Sequence, residues 1–350
     1  MFKNYFNKFW GMFSEDLGID LGTSNTLICV RKKGIVLNSP SVVAINNKTK
    51  ELYAVGEKAK AMIGKTPAHI DAIRPLKNGV IADYEVTEKM LRGFYKEINK
   101  GSGKLAGPRV LICVPAGVTQ VEKRAVIDIS TDAGAREAFL IEEPMAAAIG
   151  AGIDVFQPEG NLIVDIGGGT TEIGVISLGG IVKTSSLKVA GDRFDNLITE
   201  YIRQEHNLLI GYKTAERLKI EIGAVIPLEE ELTCEISGRN LITGLPVNIT
   251  VTSTEIANAL EEAGNQIIEE IKSILEKTPP ELSSDIKRTG IYLTGGGALL
   301  RGLDKKLSNS LKLNVTVVED PLNAVINGIE KFLGNFNEYK SILMSPENNY

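Results

Sequence analysis

Histidine is nearly absent from this chain: His69 and His206 are the only two. A histidine triad or a histidine metal cluster therefore has little to be built from. Cysteine is scarce as well. Cys29, Cys113 and Cys234 are widely separated and sit mostly in apolar runs, so they read as small buried hydrophobes of a reducing compartment. They do not read as a disulfide or zinc set. No apolar run reaches roughly 18 residues, which predicts no transmembrane span. Basic excess is missing too, and a net charge of -5 gives no reason to expect nucleic acid as a partner. Aromatic residues make up 6%, and the one tryptophan lies at the N-terminus. What remains, 43% hydrophobic and 24% charged, is the balance of a soluble globular chain. Its 350 residues exceed the usual single-domain size, so two lobes are expected.

Against these absences, one device occurs twice. Ile19-Asp20-Leu21-Gly22-Thr23-Ser24-Asn25-Thr26 and Val164-Asp165-Ile166-Gly167-Gly168-Gly169-Thr170-Thr171 each follow an apolar strand start and run into another apolar strand. A carboxylate at a strand end, followed at once by a glycine-rich hairpin, suits phosphate binding. The turn offers backbone N–H groups to phosphate oxygens, and the carboxylate holds a hydrated divalent cation beside them. Two copies imply two similar halves clamping one polyphosphate.

The repeat extends further. The first half shows a strand over 109–114, the turn Pro115-Ala116-Gly117, and a helix over about 119–133. A strand at 139–141 follows, then Glu143-Pro144 opening a helix over 145–152. The second half shows a strand over 290–293, the turn Thr294-Gly295-Gly296-Gly297, and a helix over about 298–310. Then come a strand over 314–318 and Asp320-Pro321 opening a helix over 322–332. A carboxylate followed by proline is N-terminal helix chemistry. Two segments lack counterparts. Residues about 38–90 carry strands at 41–45 and 52–55, a helix after Gly56 and a loop at 73–79. Residues about 195–255 carry helices at 195–205 and 214–222 and a strand pair at 231–236 and 247–251. Strand–helix alternation of this kind predicts an α/β fold of two lobes, each a mixed sheet with an inserted smaller subdomain. The expected organisation is lobe I over 15–160 and 322–340, lobe II over 161–321, and a tail over 341–350.

These motifs together resemble the duplicated, ribonuclease H-like ATPase fold shared by actin, sugar kinases and heat-shock chaperones. Within it the chain resembles the MreB family of bacterial actin homologues. The resemblance runs from about Asp16 to Leu333 and is carried by GIDLGTSNT, IRPLKNGVIADY, FLIEEPMAAAIGAG, VDIGGGTTEIGVISLGGIV, AERLKIEIG, EKTPPEL and LTGGGALLRGLD. Several long motifs in the right order are specific where one glycine cluster is not. Ser24 departs from the alanine of many relatives without disturbing the chemistry.

The resemblance implies an Mg-dependent ATPase, with ATP/ADP and Mg2+ as cofactors. The first hairpin, with Gly22, Thr23, Ser24 and Asn25, would wrap the β- and γ-phosphates. The second, with Gly167, Gly168, Gly169 and Thr171, would wrap them from the other lobe. Asp20 and Asp165 would hold the magnesium ion through its waters. Glu143 would orient the attacking water with the help of Thr170, while Glu142 reads as an ordinary helix-start residue. Gly295, Gly296, Gly297 and Ala298 would let backbone approach the adenine or ribose. Glu216 and Lys219, three apart on one helix face, would reach the ribose and base. Gly191 and Asp192 would border the phosphates. The plain alternatives are turn capping for the two aspartates, a helix-start residue favoured by the macrodipole for Glu143, a tight strand–helix turn for Gly295, Gly296 and Gly297, and a surface ion pair for Glu216 and Lys219.

The first thirteen residues carry a separate signal. On a helix, Phe2, Tyr5, Phe6, Phe9, Trp10, Met12 and Phe13 fall on one arc, with Lys3, Asn4, Asn7, Lys8 and Gly11 opposite. Residues 1–14 are expected to form an amphipathic membrane-binding helix, with Phe2, Phe6, Phe9, Trp10 and Phe13 as its lipid face. Docking on the protein itself or on a neighbouring subunit is the alternative. Together with this helix, the family resemblance implies a cytoplasmic filament protein, peripheral at the inner face of the cell membrane, assembling with itself. The family further implies RodZ, MreC, MreD and wall-elongation proteins as partners, and a role in cell shape. The alternative is a soluble monomeric actin-fold ATPase, or a plasmid-segregating filament.

Overall fold

A computed structural model describes residues 15–98 and 107–344. The expected helix over 1–14 and the end of the tail, 345–350, lie outside the described residues. The chain divides into two units, Met1–Gln157 with Asn323–Tyr350, and Pro158–Leu322.

The first unit is built on strands β1 (Leu17–Leu21), β2 (Asn25–Val30) and β3 (Gly34–Pro40). Three further strands, β4 (Val43–Asn46), β5 (Leu52–Val55) and β6 (Ile70–Ile73), make a small separate sheet beside the one-turn helix α1 (Glu57–Lys60). A two-stranded ribbon follows, β7 (Leu76–Lys77) with β8 (Val80–Ile81). Then come α2 (Tyr84–Ile98), β9 (Arg109–Val114), α3 (Gln120–Asp132), β10 (Glu137–Glu142) and α4 (Glu143–Gly150). The main sheet runs β10-β9-β1-β2-β3, with β9 and β10 parallel and the β1–β2–β3 pairs antiparallel.

The second unit repeats this order. Its sheet is β18-β17-β11-β12-β13, from β11 (Asn161–Ile166), β12 (Thr171–Ser177), β13 (Gly180–Leu187), β17 (Ile291–Thr294) and β18 (Val315–Val317). Between them lie α5 (Gly191–His206), β14 (Leu208–Leu209), α6 (Tyr212–Ile222), β15 (Thr233–Asn240) and β16 (Pro246–Thr252). The helices α7 (Ser253–Lys277), α8 (Pro280–Thr289), α9 (Leu303–Leu311) and α10 (Ala324–Gly334) follow, the last belonging to the first unit.

Each sheet has a hydrophobic reason for its form. All six residues of β11 are buried, the run expected of a central strand covered on both faces. Its core neighbours include Ile173, Val175 and Leu293, with Phe194 and Ile198 of α5 and Ile267 and Ile271 of α7. In the first unit Ile19, Ile28 and Ile112 pack with Met90, Leu91 and Phe94 of α2 and Ile129 of α3. Capping boxes fix two helix starts, Thr119 with Glu122 on α3 and Thr252 with Glu255 on α7.

Several expected elements differ from those observed. The helix over 298–310 is broken. A 3-10 turn, Gly296–Leu299, is followed by extended residues before α9 begins at Leu303. Arg301 bridges Ala224, and Val225 N–H donates to its carbonyl at 3.1 Å, an extended pairing that a helix would forbid. Gly302 then re-enters the helix at a φ of 78°. The closing helix starts at Ala324, not at 322, after a 3-10 turn over Pro321–Asn323. The loop at 73–79 holds the end of β6 and a ribbon whose turn residues, Asn78 and Gly79, lie at φ 52° and 76°. That is the Asn-Gly hairpin turn, with left-handed backbone at both positions.

Helix α4 is held by α10 at unusually close range. A Cβ on Gly150 would fall on the carbonyl of Ala324, and one on Gly328 would fall on that of Ala146. The two helix backbones touch because both crossing positions lack side chains. Lys331 Nζ donates to the carbonyls of Ile149 (3.0 Å) and Gly150 (3.1 Å), satisfying the open C-terminal end of α4. We expect Gly328→Val to prise the helices apart and lower unfolding stability by about 3 kcal/mol. Denaturant unfolding checks this, and a loss under about 0.5 kcal/mol would show that the crossing relaxes freely.

Candidate functional site

In the first unit Asp20 is the penultimate residue of β1 and half-buried. Gly22, Thr23 and Ser24 form the tight turn into β2, which Asn25 opens. Ser41, just after β3, braces this turn from behind. Its hydroxyl donates to the Gly22 carbonyl at 2.6 Å, and its N–H donates to the Ser24 carbonyl at 2.9 Å. Thr23 Oγ1 accepts the N–H of Gly79 at 2.9 Å, so the Asn-Gly ribbon also holds the hairpin. Neither Ser41 nor Gly79 stands out in the sequence, because each acts on a turn distant along the chain. Glu143 is the first residue of α4, half-buried, with Pro144 behind it. Glu142 is the preceding cap residue. Burial pushes its carboxyl above the usual range, against the opposing pull of Lys123 and the Gly117 N–H.

In the second unit more of the expected residues converge. Asp165 is buried near the end of β11, and Thr294 of β17 stands beside it in parallel register. The Thr294 hydroxyl donates to Asp165 Oδ1 at 2.8 Å. Even so, burial pushes the Asp165 carboxyl up to about 6, since a single neutral donor compensates little of the lost hydration. The hairpin beyond it closes through Gly167 N–H to the Thr170 carbonyl, 2.9 Å. Thr170 is buried, and the Thr171 hydroxyl is committed to the Val189 carbonyl at 2.6 Å. That bond fastens the hairpin to the segment entering α5.

The N-terminus of α5 then meets the hairpin directly. Gly191 N–H donates to the Gly167 carbonyl (3.1 Å) and Asp192 N–H to the Gly168 carbonyl (2.8 Å). Two of the open N–H groups at the helix start are thereby satisfied by the hairpin itself. Lys219 of α6 reaches the same point: its Nζ donates to the Gly191 carbonyl at 3.0 Å and lies 2.9 Å from Asp195 Oδ1. Lys219 is thereby tied to a buried carboxylate, with 18% of its side chain exposed. Its partner Asp195 is almost wholly buried, and burial pushes that carboxyl up to about 6 despite the lysine. Tyr212 donates to Asp192 Oδ1 at 3.3 Å. Glu216 lies one turn before Lys219 on α6. Asp195, Thr294 and Tyr212 escaped the sequence reading. Thr294 entered that reading only as the first residue of the glycine turn, and Asp195 only as an acidic residue opening an expected helix.

The glycine turn after β17 has an internal cause. Gly295 has a φ of 79°, and its N–H donates to the Pro321 carbonyl at 2.8 Å. A Cβ there would meet the Ile166 carbonyl and sit 2.8 Å from Asp165 Oδ1; on Gly297 it would strike the Ile166 side chain. These two glycines allow the turn to lie against the stem of the hairpin that follows Asp165. Only Gly296 of the three is exposed, and Ala298 is buried behind it. Packing against Ile166 thus accounts for Gly295 and Gly297, while Gly296 stays exposed.

Among the described residues no group of three or more His, Cys, Asp or Glu could hold a metal. The donors present are hard oxygens, one buried carboxylate per hairpin strand at most. Such a set suits a cation that keeps most of its waters and binds mainly through phosphate. An uncompensated buried carboxylate also has a stability consequence. A carboxyl whose folded value lies above its unfolded 3.8, at about 6, keeps a proton that the unfolded chain releases. Stability then falls as pH rises through that window. In protein free of nucleotide and divalent cation, Asp165→Asn should gain on the order of 2 kcal/mol at about pH 7.5. The gain should vanish towards about pH 4 in thermal unfolding. An unchanged midpoint at neutral pH would mean the charge is already compensated.

Comparison with known proteins gives a consistent answer. A family model described as MreB/Mbl protein matches residues 14–341. The cell shape-determining protein MreB of Escherichia coli (strain K12) is 53% identical over 344 residues, covering 97% of this chain and 99% of that protein. The cell shape-determining protein Mbl of Bacillus subtilis (strain 168) is 51% identical over 327 residues, covering 93% and 98%. Among solved structures, MreB5 of Spiroplasma citri bound to ADP superposes with a TM-score of 0.88 at 41% identity, over 94% of this chain and 98% of that one. The same protein bound to AMPPNP matches at 40% identity with a TM-score of 0.88, over 94% and 98%. A MamK double helical filament matches with a TM-score of 0.77 at 26% identity, over 91% and 98%. The fold is actin-like, and the chain belongs to the MreB/Mbl family.

Proposed function

We propose that this chain is an ATP-dependent, actin-like cytoskeletal filament protein that determines cell shape, with hydrolysis of ATP regulating its assembly. The observation that carries the reading is the twin arrangement of Asp20 before Gly22–Ser24 and Asp165 before Gly167–Gly169 on equivalent strands of two like sheets. The ADP- and AMPPNP-bound relatives and the filamentous MamK support it.

In this reading the hairpin N–H groups bind the β- and γ-phosphates, with the hydroxyls of Thr23 and Ser24 added from the first unit. Mg2+, when bound, would neutralise charge on the phosphate oxygens, with Asp20 and Asp165 holding its waters. By the family resemblance Glu143 would orient the attacking water and Thr170 would help hold it, as in-line attack on the γ-phosphorus requires. Bond formation to the water oxygen and cleavage of the β–γ bridge yield ADP and phosphate. Gly191 and Asp192 set the rim of the phosphate site, Lys219 holds that rim, and Glu216 with Gly296 faces the nucleoside. Loss of the γ-phosphate then removes contacts that favour the assembling state, which weakens the polymer. Among the described residues no helix is long and apolar enough to cross a membrane. Attachment through residues 1–14, peripheral at the inner face, supplies the membrane link, and wall-elongation membrane proteins such as RodZ, MreC and MreD are the partners the family suggests.

Glu143→Ala should keep ATP binding and reduce phosphate release by about a hundredfold. Undiminished release would remove Glu143 from the mechanism. The wild-type chain should pellet with ATP and stay in the supernatant without nucleotide; a persistent monomer would instead favour a solitary ATPase. Deleting residues 2–13 should abolish co-sedimentation with vesicles while leaving pelleting intact, and unchanged vesicle binding would place the anchor elsewhere.

A further inference from the structure

A cavity of about 420 Å3 in the first unit lies outside everything described so far, lined by Arg31, Arg109 and residues 334–338. One arginine is spent. Arg109 donates to Asp16 through Nε (3.1 Å) and Nη2 (2.5 Å), and its guanidinium stacks 4.2 Å above the ring of Phe336. That ring is itself wedged edge-on against Phe139 and Phe332, each at 5.5 Å. This wall is therefore rigid and pre-organised.

The other arginine is not satisfied. Arg31 Nη1 reaches Asp16 Oδ2, and Nη2 the Gly334 carbonyl, only at 3.5 Å, the outer limit of a hydrogen bond. Its Nε is buried and has no acceptor among the described residues. Asp16 is already engaged by Arg109 on both oxygens. That Nε is out of reach of any ligand, but the side chain is 38% exposed and its two Nη groups are held only by these long bonds, so an oxyanion in the cavity can take them over at shorter range. Asn335 and Asn337 add amides to the lining, and Glu338, exposed, places one carboxylate on the same wall. Asp16, behind the lining, neutralises Arg109, which leaves Arg31 set against Glu338 on the lining itself, a pair that suits a zwitterion better than a bare anion.

We propose that this cavity binds a phosphate ester carrying an ammonium group, of the phosphoethanolamine headgroup type, its phosphate on Arg31 and its ammonium by Glu338. Asp16, which holds Arg109 in the wall, follows the amphipathic stretch 1–14 by two residues in sequence. The lipid as source of the headgroup rests on the membrane reading above; the chemistry of the cavity does not.

The test uses the full chain saturated with ADP, so that the nucleotide site takes no phosphate. Glycerophosphoethanolamine is titrated and followed by phosphorus NMR, with inorganic phosphate and glycerophosphocholine as comparisons. We expect saturable binding of glycerophosphoethanolamine, weakened about tenfold or more by Arg31→Ala and less by Arg31→Lys. Glu338→Gln should erase the preference over inorganic phosphate, and neither Arg31→Lys nor Glu338→Gln should alter phosphate release from ATP. No saturable binding, equal binding of inorganic phosphate, or an unaffected Arg31→Ala variant would overturn the site. Vesicles containing phosphatidylethanolamine supply the second arm. Headgroup binding in solution without any vesicle binding by the wild type would sink the membrane reading and keep the cavity. Vesicle binding equal for wild type and Arg31→Ala, with no solution binding, would sink the cavity and keep the membrane reading.

Discussion

The charge on Asp165 is the constraint around which the second unit is arranged. A carboxylate near the end of a strand buried on both faces has lost its water and, among the described residues, regains the Thr294 hydroxyl alone, at 2.8 Å. Burial alone makes such a charge costly, and a cation brought by a polyphosphate is the natural compensation. The features around it keep that carboxylate in place. Gly295 and Gly297 let the following turn lie against Asp165 and Ile166, and Thr294 occupies the register position beside the aspartate. The hairpin beyond is bonded to Gly191 and Asp192, and the turn they make is tied by Lys219 to buried Asp195. A ligand bound there would meet a scaffold already rigid, which is what pre-organised phosphate binding requires.

The first unit reaches the same end by different contacts. Its hairpin has no helix N-terminus bonded to it among the described residues; Ser41 and the Asn78-Gly79 ribbon hold it instead. The strand order of the two sheets is equivalent, yet the supports differ. This division fits a duplicated core in which strands and turns are kept and the inserted segments are free to specialise. The Gly150–Gly328 crossing belongs to the same logic. It sets the start of α4, and with it Glu143, by backbone contact between helices, with no long side chain intervening.

Much of this was legible from local pattern. Strand pairs around each hairpin, the acidic-Pro steps and the capping chemistry all depend on residues within a few positions of one another. Where the reading slipped, a distant residue had intervened. The run at 298–310 has helical spacing, but Arg301 is drawn into extended pairing with Ala224, and Gly302 breaks the phase. Lys219 and Glu216 share a helix face as their spacing says, yet spacing could not show that Lys219 turns to a buried carboxylate on α5. Asp195 gives no local sign of its role, because burial is a property of packing.

What the chain determined by itself is therefore the repeated strand–hairpin–strand device, the placement of a carboxylate before each glycine turn, and the α/β alternation that makes two like sheets. These follow from side-chain period, turn chemistry and helix-start preferences, which act over a handful of residues. Tertiary structure decided which polar groups are desolvated and what compensates them: Thr294 on Asp165, Lys219 on Asp195, Ser41 behind Gly22, and an Arg31 left short of acceptors. Hydration is lost only when distant segments close over a group. The cost of the buried carboxylates Asp165 and Asp195 was thus settled by packing across the chain.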